Sequence, residues 1–272
     1  DTSEEGAISE MTPPQSMVSL VWHSRISKAN SSLVHDSLEA LSKALRSLPH
    51  DPESDLIVLS ETAITSDYPG GLLIPSLLYF RACEQVGDLY QSSGDDGEAD
   101  VWRAKGRAMA KRIRMCLWDK KRGLFKTGTQ ITDKHDIWGS ALAVYINVAT
   151  SGQLMSIAGY LRNNCDELFY RGHLRRFAAD EDLSVATEPQ HNDRDWKFWA
   201  FPVGWAAYAL NIIDPILADS LISEYFQTQK QIGVFQWINR QNQSGGVGNL
   251  ASAALPLGGI RRIIDKRLHS TL

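Results

Sequence analysis

The feature of this 272-residue chain that most restricts its fold is a unit that returns at long, similar intervals. Gly123-Leu-Phe-Lys-Thr reads as a short strand-like piece, and a polar loop runs from it to Asp136. The pattern then predicts an apolar helix over 137–148 and a second helix, capped by Thr150 with Gln153, to about Phe169. The order then repeats. Gly172-His-Leu-Arg-Arg-Phe matches the strand piece, 178–197 is a longer loop, 198–213 is predicted helical, and Asp214-Pro215 starts the partner helix with a cap and a first-turn proline. Gly233-Val-Phe-Gln-Trp-Ile opens a third round. Gly139 and Gly204 stand 65 residues apart, and Gly172 and Gly233 stand 61 apart. Helix pairs repeating at this length bury their faces only against one another, so they are expected to stack side by side. The first helix of each pair (138–148, 203–212) is apolar nearly all round. The second (216–226) turns Leu217, Leu221, Ile222 and Tyr225 to one side. Two concentric layers of helices would produce that difference.

Upstream, residues 1–16 are polar, carry Pro13-Pro14, and read as a flexible arm ahead of a single domain over 17–272. Met17–Trp22 reads as a short strand. Residues 32–48 are predicted helical, with Leu33, Leu38, Leu41 and Leu45 on one side. A helix over 72–90 accommodates Pro75 in its first turn, and Asp95 with Glu98 forms a capping box for the next, 98–118. The fold class is therefore all-α: an (α/α)n arrangement with about four hairpins and short strand pieces between them.

Charge removes one class of partner. A formal net charge of −4 gives no basic surface for nucleic acid. The one basic cluster, Arg103, Lys105, Arg107, Lys111, Arg112 and Arg114, is expected to be the solvated face of a helix whose other side is Trp102, Met109, Ile113 and Leu117. Cys83, Cys116 and Cys165 are widely spaced and read as free thiols. No apolar run nears the ~20 residues that span a bilayer, so the chain is read as soluble, with no membrane partner and no assigned compartment. Asn30-Ser31-Ser32 and Asn242-Gln243-Ser244 fit the glycosylation acceptor pattern. Phosphate-binding glycine loops, HExxH and GxSxG are absent, and no metal or cofactor is expected.

Three phrases carry a resemblance: Leu-Trp-Asp followed by Gly-Leu-Phe (117–125), His-Asp-Ile-Trp-Gly-Ser-Ala-Leu-Ala (135–143) and Trp-Ala-Phe-Pro-Val-Gly-Trp-Ala-Ala-Tyr-Ala-Leu (199–210). Together they resemble the six-hairpin glycosidase-like superfamily over roughly residues 56–264. The resemblance implies an (α/α)6 toroid of inner and outer helices and, in many members, hydrolysis of glycosidic bonds by two carboxylates. Six hairpins at the observed spacing need more residues than the chain has. It therefore resembles the latter part of such a ring, with an N-terminal portion absent or a partner chain completing it.

Loops preceding inner helices near residues 71, 137, 198 and 249 would gather at one end, and they are rich in polar and aromatic residues. Inverting hydrolysis needs an acid and a base about 6.5–9.5 Å apart, a spacing that carboxylates on different loops can reach. Position points to Asp136 and Glu188 as the pair, with Asp195 and Asp67 in reserve. Sugars take flat apolar faces and bidentate amides, which makes His135, Trp138, His191, Asn192, Trp196, Trp199, Trp237 and Asn239 the candidate binding residues for a carbohydrate substrate. Asp136 has a plain rival role as a helix N-cap. Two alternatives stand beside hydrolysis: a non-catalytic sugar-binding or structural fragment, and a sugar epimerase or lyase with His135 or His191 as base.

Overall fold

The computed structural model describes residues 13–26, 31–58, 70–178, 181 and 197–270. The chain divides into two compact units, residues 1–118 with 126–132 and residues 119–125 with 133–272.

In the first unit, helix α1 (Pro13–Ile26) replaces the strand expected at Met17–Trp22 and begins inside the stretch read as an arm. Its buried positions explain the difference. Gln15, Val18 and Val21 face inward at three-residue spacing while Met17 and Leu20 face solvent, a helical period that the apolar run does not reveal by itself. Helix α2 (Ser31–Arg46) buries Leu38, Leu41 and Leu45. Helices α3 (Leu73–Ser92) and α4 (Asp96–Cys116) form a close hairpin, and Asp95 accepts the Glu98 N–H at 3.0 Å as its cap. Gly87 and Gly106 permit that closeness: a Cβ at Gly87 would lie 3.2 Å from the Ala99 carbonyl oxygen, and one at Gly106 3.3 Å from Cys83 Cβ. Trp102 and Ile113 are fully buried on α4, whereas Lys105, Arg107, Lys111 and Arg112 lie on its exposed side, as the amphipathic pattern requires.

Strands β1 (Trp118–Asp119) and β2 (Leu124–Phe125) pair around a turn whose Gly123 adopts φ +74°, a left-handed conformation that glycine adopts without a Cβ clash. Helix α5 (Ile137–Tyr145) follows, buried along all but its last residue. Helix α6 (Ser151–Asn163) opens with the expected Thr150–Gln153 capping box, and the single turn α7 (Cys165–Leu168) leads into a five-stranded antiparallel sheet. Its strands are two residues each: β3 (Phe169–Tyr170), β4 (His173–Leu174), β5 (Phe198–Trp199), then, after helices α8 (Val203–Leu210) and α9 (Pro215–Ile232), β6 (Trp237–Ile238) and β7 (Ser244–Gly245). The apolar pattern places Phe198 and Trp199 at the start of a helix. Pairing of Trp199 with Leu174 and of Phe198 with Ile238 holds them extended instead. Asp214 caps α9, with Pro215 in its first turn.

Helix α10 (Leu250–Ser270) crosses α8 at close range. A Cβ at Gly204 would come within 2.8 Å of Pro256 Cα, so the crossing requires glycine. Pro256 has no N–H to offer the Ser252 carbonyl one turn back; the buried Tyr225 hydroxyl donates to that oxygen instead, at 2.6 Å. The Arg262 guanidinium donates to the Tyr145 carbonyl at the C-terminal end of α5 and lies over the Tyr145 and Tyr208 rings at 5.1 and 4.9 Å. Four helices thus begin near the places the repeat assigns to inner helices, at residues 73, 137, 203 and 250.

Candidate functional site

The loop before α5 carries the successive polar residues Asp133, Lys134, His135 and Asp136. Asp136 has an extended backbone (φ −86°, ψ 104°), which aims its side chain back at the free N–H groups of the first helical turn. Its Oδ1 accepts the Gly139 N–H at 2.8 Å, and its Oδ2 accepts from Arg176 Nε and Nη2 at 3.2 and 3.1 Å. The carboxylate is 1% exposed, and both of its oxygens are engaged. Its geometry is that of a helix cap tied to a cation.

One residue earlier, His135 lies between two more carboxylates. Glu181 takes hold of it twice: Oε2 accepts the His135 backbone N–H at 2.9 Å, and Oε1 accepts from Nδ1 at 2.6 Å. On the other side of the ring, Nε2 stands 3.1 Å from Asp119 Oδ2. Asp119 Oδ1 accepts the Lys121 and Arg122 backbone N–H groups at 2.8 and 3.2 Å, and Arg122 Nε approaches Glu181 Oε1 at 3.9 Å. Burial by itself would lower the pKa of His135, but the hydrogen bonds to Glu181 and Asp119 outweigh it and the pKa is raised. For Asp119 the balance also opposes burial: desolvation raises its pKa, and hydrogen bonds from the Arg122 backbone, His135 and the Lys121 backbone bring it below the usual carboxylate value.

An aromatic cluster adjoins these groups. Trp138 is 3% exposed, donates its indole N–H to the Leu174 carbonyl at 3.2 Å, and meets Trp199 and Phe201 edge-on at 5.5 and 4.8 Å. Arg176 lies over Trp138 at 5.5 Å and over Phe177 at 4.9 Å, so Asp136, Arg176 and Trp138 form one packed group. Phe201 continues to Trp205 at 5.8 Å. Trp199, Phe201, Trp205 and Trp237 are half-buried, and these rings, unlike Trp138, retain surface on which a flat ligand can stack. Trp237 pairs with Trp199 across β5 and β6 and carries Lys197 over its ring at 4.2 Å.

Asp136, His135, Trp138 and Trp199 are therefore brought into one region, with Trp237 beside Trp199. Asn239 instead builds the β6–β7 turn: its Oδ1 accepts the Gln241 and Gln243 N–H groups, and its Nδ2 donates to Gln243 Oε1 at 2.7 Å. Asp67, Glu188, His191, Asn192, Asp195 and Trp196 lie outside the described residues. Sequence reasoning passes over Asp119, Arg176 and Glu181. Glu181 stands in the acidic run Asp180-Glu181-Asp182, just past the second strand piece, and that position is its one available signal. Among the described residues no group of three His, Cys, Asp or Glu side chains is arranged to hold a metal ion, and no helix is long and apolar enough to cross a membrane.

No family model and no curated protein sequence matches the chain. Solved structures do. A sialidase superposes with a TM-score of 0.64 at 10% identity, covering 85% of this chain and 23% of that one. The GH78 rhamnosidase of Bacillus sp. GL1 gives 0.58 at 17% identity, covering 85% and 24%. Cellobiose 2-epimerase from Bacillus thermoamylovorans gives 0.61 at 11% identity, covering 92% and 71%. The chain shares its fold of helical hairpins with these structures. The chain spans about a quarter of the length of the sialidase and the rhamnosidase. At these identities the likeness is one of fold, shared by glycoside hydrolases and a sugar epimerase.

Proposed function

We propose that the chain is part of a carbohydrate-active enzyme that hydrolyses glycosidic bonds by inversion, with Asp136 and Glu188 as the acid–base pair. The single observation that carries this reading is the placement of Asp136 at the N-terminus of the buried helix α5, in one packed group with Arg176 and the rings of Trp138, Trp199 and Phe201. The Gly139 N–H and the Arg176 guanidinium both donate to Asp136, so its oxygens already act as acceptors, as those of a general base do. Glu188, which follows β4 and precedes β5 in the sequence, then takes the part of the acid. Asp195 and Asp67 are the substitutes for either role, and half-buried Trp199 and Trp237 offer the sugar its stacking faces. Asp136 reaches water only if substrate binding draws Arg176 aside, because the carboxylate is 1% exposed.

The alternative of an epimerase with His135 as base receives less support. A ring whose two nitrogens are both engaged by carboxylates, Glu181 at 2.6 Å and Asp119 at 3.1 Å, presents neither nitrogen to a substrate proton. The test is release of reducing sugar from a panel of glycosides, repeated with Asp136→Asn and Glu188→Gln. Each variant is expected to lower kcat by at least about a hundredfold, the scale of one general acid or base. Unchanged rates in both would remove the residue assignment. Oligosaccharide binding by calorimetry with no turnover of any glycoside would replace the hydrolase with a binding module.

A further inference from the structure

We propose that His135 is an imidazolium clamp, its Nδ1–H donating to Glu181 and its Nε2–H to Asp119, and that this clamp positions the Asp136–Arg176 pair. The argument begins with donors and acceptors. Neutral imidazole carries one N–H, so one of the carboxylates at 2.6 and 3.1 Å would face a nitrogen lone pair on a ring that is itself buried. A second ring proton removes that repulsion and supplies both carboxylates with a charge-assisted donor.

The surrounding charges point the same way. The groups that face His135 from the turn at 119–123 are Asp119 and Arg122; the charged neighbours on its own loop are Asp133, Lys134 and Asp136; and beyond Ala178 stands Glu181. Arg176 is paired with Asp136, Lys134 lies over the Phe177 ring, and Tyr160 of α6 takes the Arg122 guanidinium over its ring at 5.6 Å. Among the described groups in contact with the ring or its partners, Asp119 and Glu181 bring two negative charges and Arg122 one positive charge. An imidazolium supplies a second positive charge.

The clamp reaches the site through the backbone. Glu181 holds the N–H of His135, the residue joined directly to the cap Asp136. The next two N–H groups are also committed, Asp136 to the Phe125 carbonyl at 3.0 Å and Ile137 to the Arg176 carbonyl at 2.9 Å. Three successive residues are thereby fixed, one against β2 and two against the stretch that follows β4, which sets the direction in which Asp136 meets Arg176. His135 is a positioning residue in this scheme, since it acts through its neighbours.

The sign of the pH response follows. A raised His135 pKa contributes stability below the ordinary histidine value and loses it as pH rises through the folded value, whereas the lowered Asp119 pKa contributes above the ordinary carboxylate value and loses it as pH falls through its own. The clamp is whole between those limits, and its alkaline side belongs to His135.

The deciding measurement is nitrogen–carbon correlation NMR of histidine-labelled full chain across the pH range. His135 should show two protonated ring nitrogens at neutral pH and a titration midpoint above that of histidine in the urea-unfolded chain, and Glu181→Gln should bring the midpoint down. A single neutral tautomer at the unfolded-state midpoint, or no response to Glu181→Gln, overturns the clamp. If Glu181→Gln does not fold, the wild-type spectrum and Asp119→Asn decide the same question. The positioning role rests on the hydrolase reading and has its own readout: His135→Gln should lower kcat roughly a hundredfold, as expected for a misplaced reacting group, with a smaller change in KM and loss of the alkaline limb of the pH profile. A clamp seen by NMR in a chain that turns over no glycoside would sink the hydrolase and leave the clamp standing.

Discussion

Helices α5 and α8 are both short, apolar and almost wholly buried, yet they begin in opposite ways. At α5 the free N–H groups meet a side chain: Asp136 caps the first turn, and Arg176 compensates its charge. At α8 there is no side-chain cap. Pro202 leads in, and its carbonyl accepts the Trp205 and Ala206 N–H groups at 3.1 and 3.2 Å. What fixes α8 is instead the meeting of Gly204 with the backbone of Pro256 and Gly259 on α10. One helix is located by charge and hydrogen bonds, the other by the absence of a side chain. A polar start has donors and acceptors to spare for chemistry; a start located by close packing has none, which is why the candidate site gathers at α5.

The sharpest way to break the comparison is to give α8 a side chain where it has none. Gly204→Val would drive its Cβ against Pro256 Cα and carbonyl carbon, at 2.8 and 2.9 Å even before the methyl groups are counted. Backbone atoms on both sides leave no rotamer to relieve the clash. The expected loss is about 3 kcal/mol or more, the upper end of overpacking costs, read as a lower urea midpoint. A loss under about 1 kcal/mol, within the range of well-tolerated core swaps, would mean that α8 is not located by that crossing.

How much of this is readable from residues alone depends on how far apart the partners are. Caps are legible because they act within one turn: Thr150 with Gln153 forms its box, and Asp95, Asp136 and Asp214 each accept an N–H of the first turn, although Glu98, expected to complete a box with Asp95, pairs with Arg46 instead. The glycines that open the strand pieces, Gly123 and Gly172, are legible for the same reason, and both adopt positive φ. Local pattern fails where a distant segment decides. Phe198-Trp199 has the composition of a buried helix, and only its partners Leu174 and Ile238 make it a strand. Arg176 lies 40 residues from Asp136, and Glu181 lies 46 from His135. No periodicity connects such pairs, so the polar core of the candidate site is visible in the sequence one half at a time.

Removing the charge from α5 tests the other side of the comparison. Asp136→Ala takes away the cap and leaves Arg176, about a quarter exposed, facing an apolar side chain. A cap alone is worth about 1 kcal/mol. Loss of the buried half of an ion pair adds to it, for a total of about 2–3 kcal/mol once the partial exposure of Arg176 is allowed for. Asp136→Asn should recover much of the cap and little of the pair, so its midpoint should lie between those of wild type and Asp136→Ala. Equal losses in the two variants would show that the Arg176 pair carries the whole effect and the cap none.

The smallest effect belongs to the helix that receives α8. Pro256 leaves the Ser252 carbonyl without its usual donor, and the Tyr225 hydroxyl takes that place. Tyr225→Phe keeps the buried ring and removes only the donor, leaving an unpaired carbonyl at a cost of about 1 kcal/mol. The same change made in a Pro256→Ala background should cost much less, because an alanine there brings back a backbone N–H for the Ser252 carbonyl. The coupling between the two substitutions then isolates the hydroxyl's role from the packing of the ring. Costs that simply add would show that the hydroxyl does not act by replacing the N–H that Pro256 lacks.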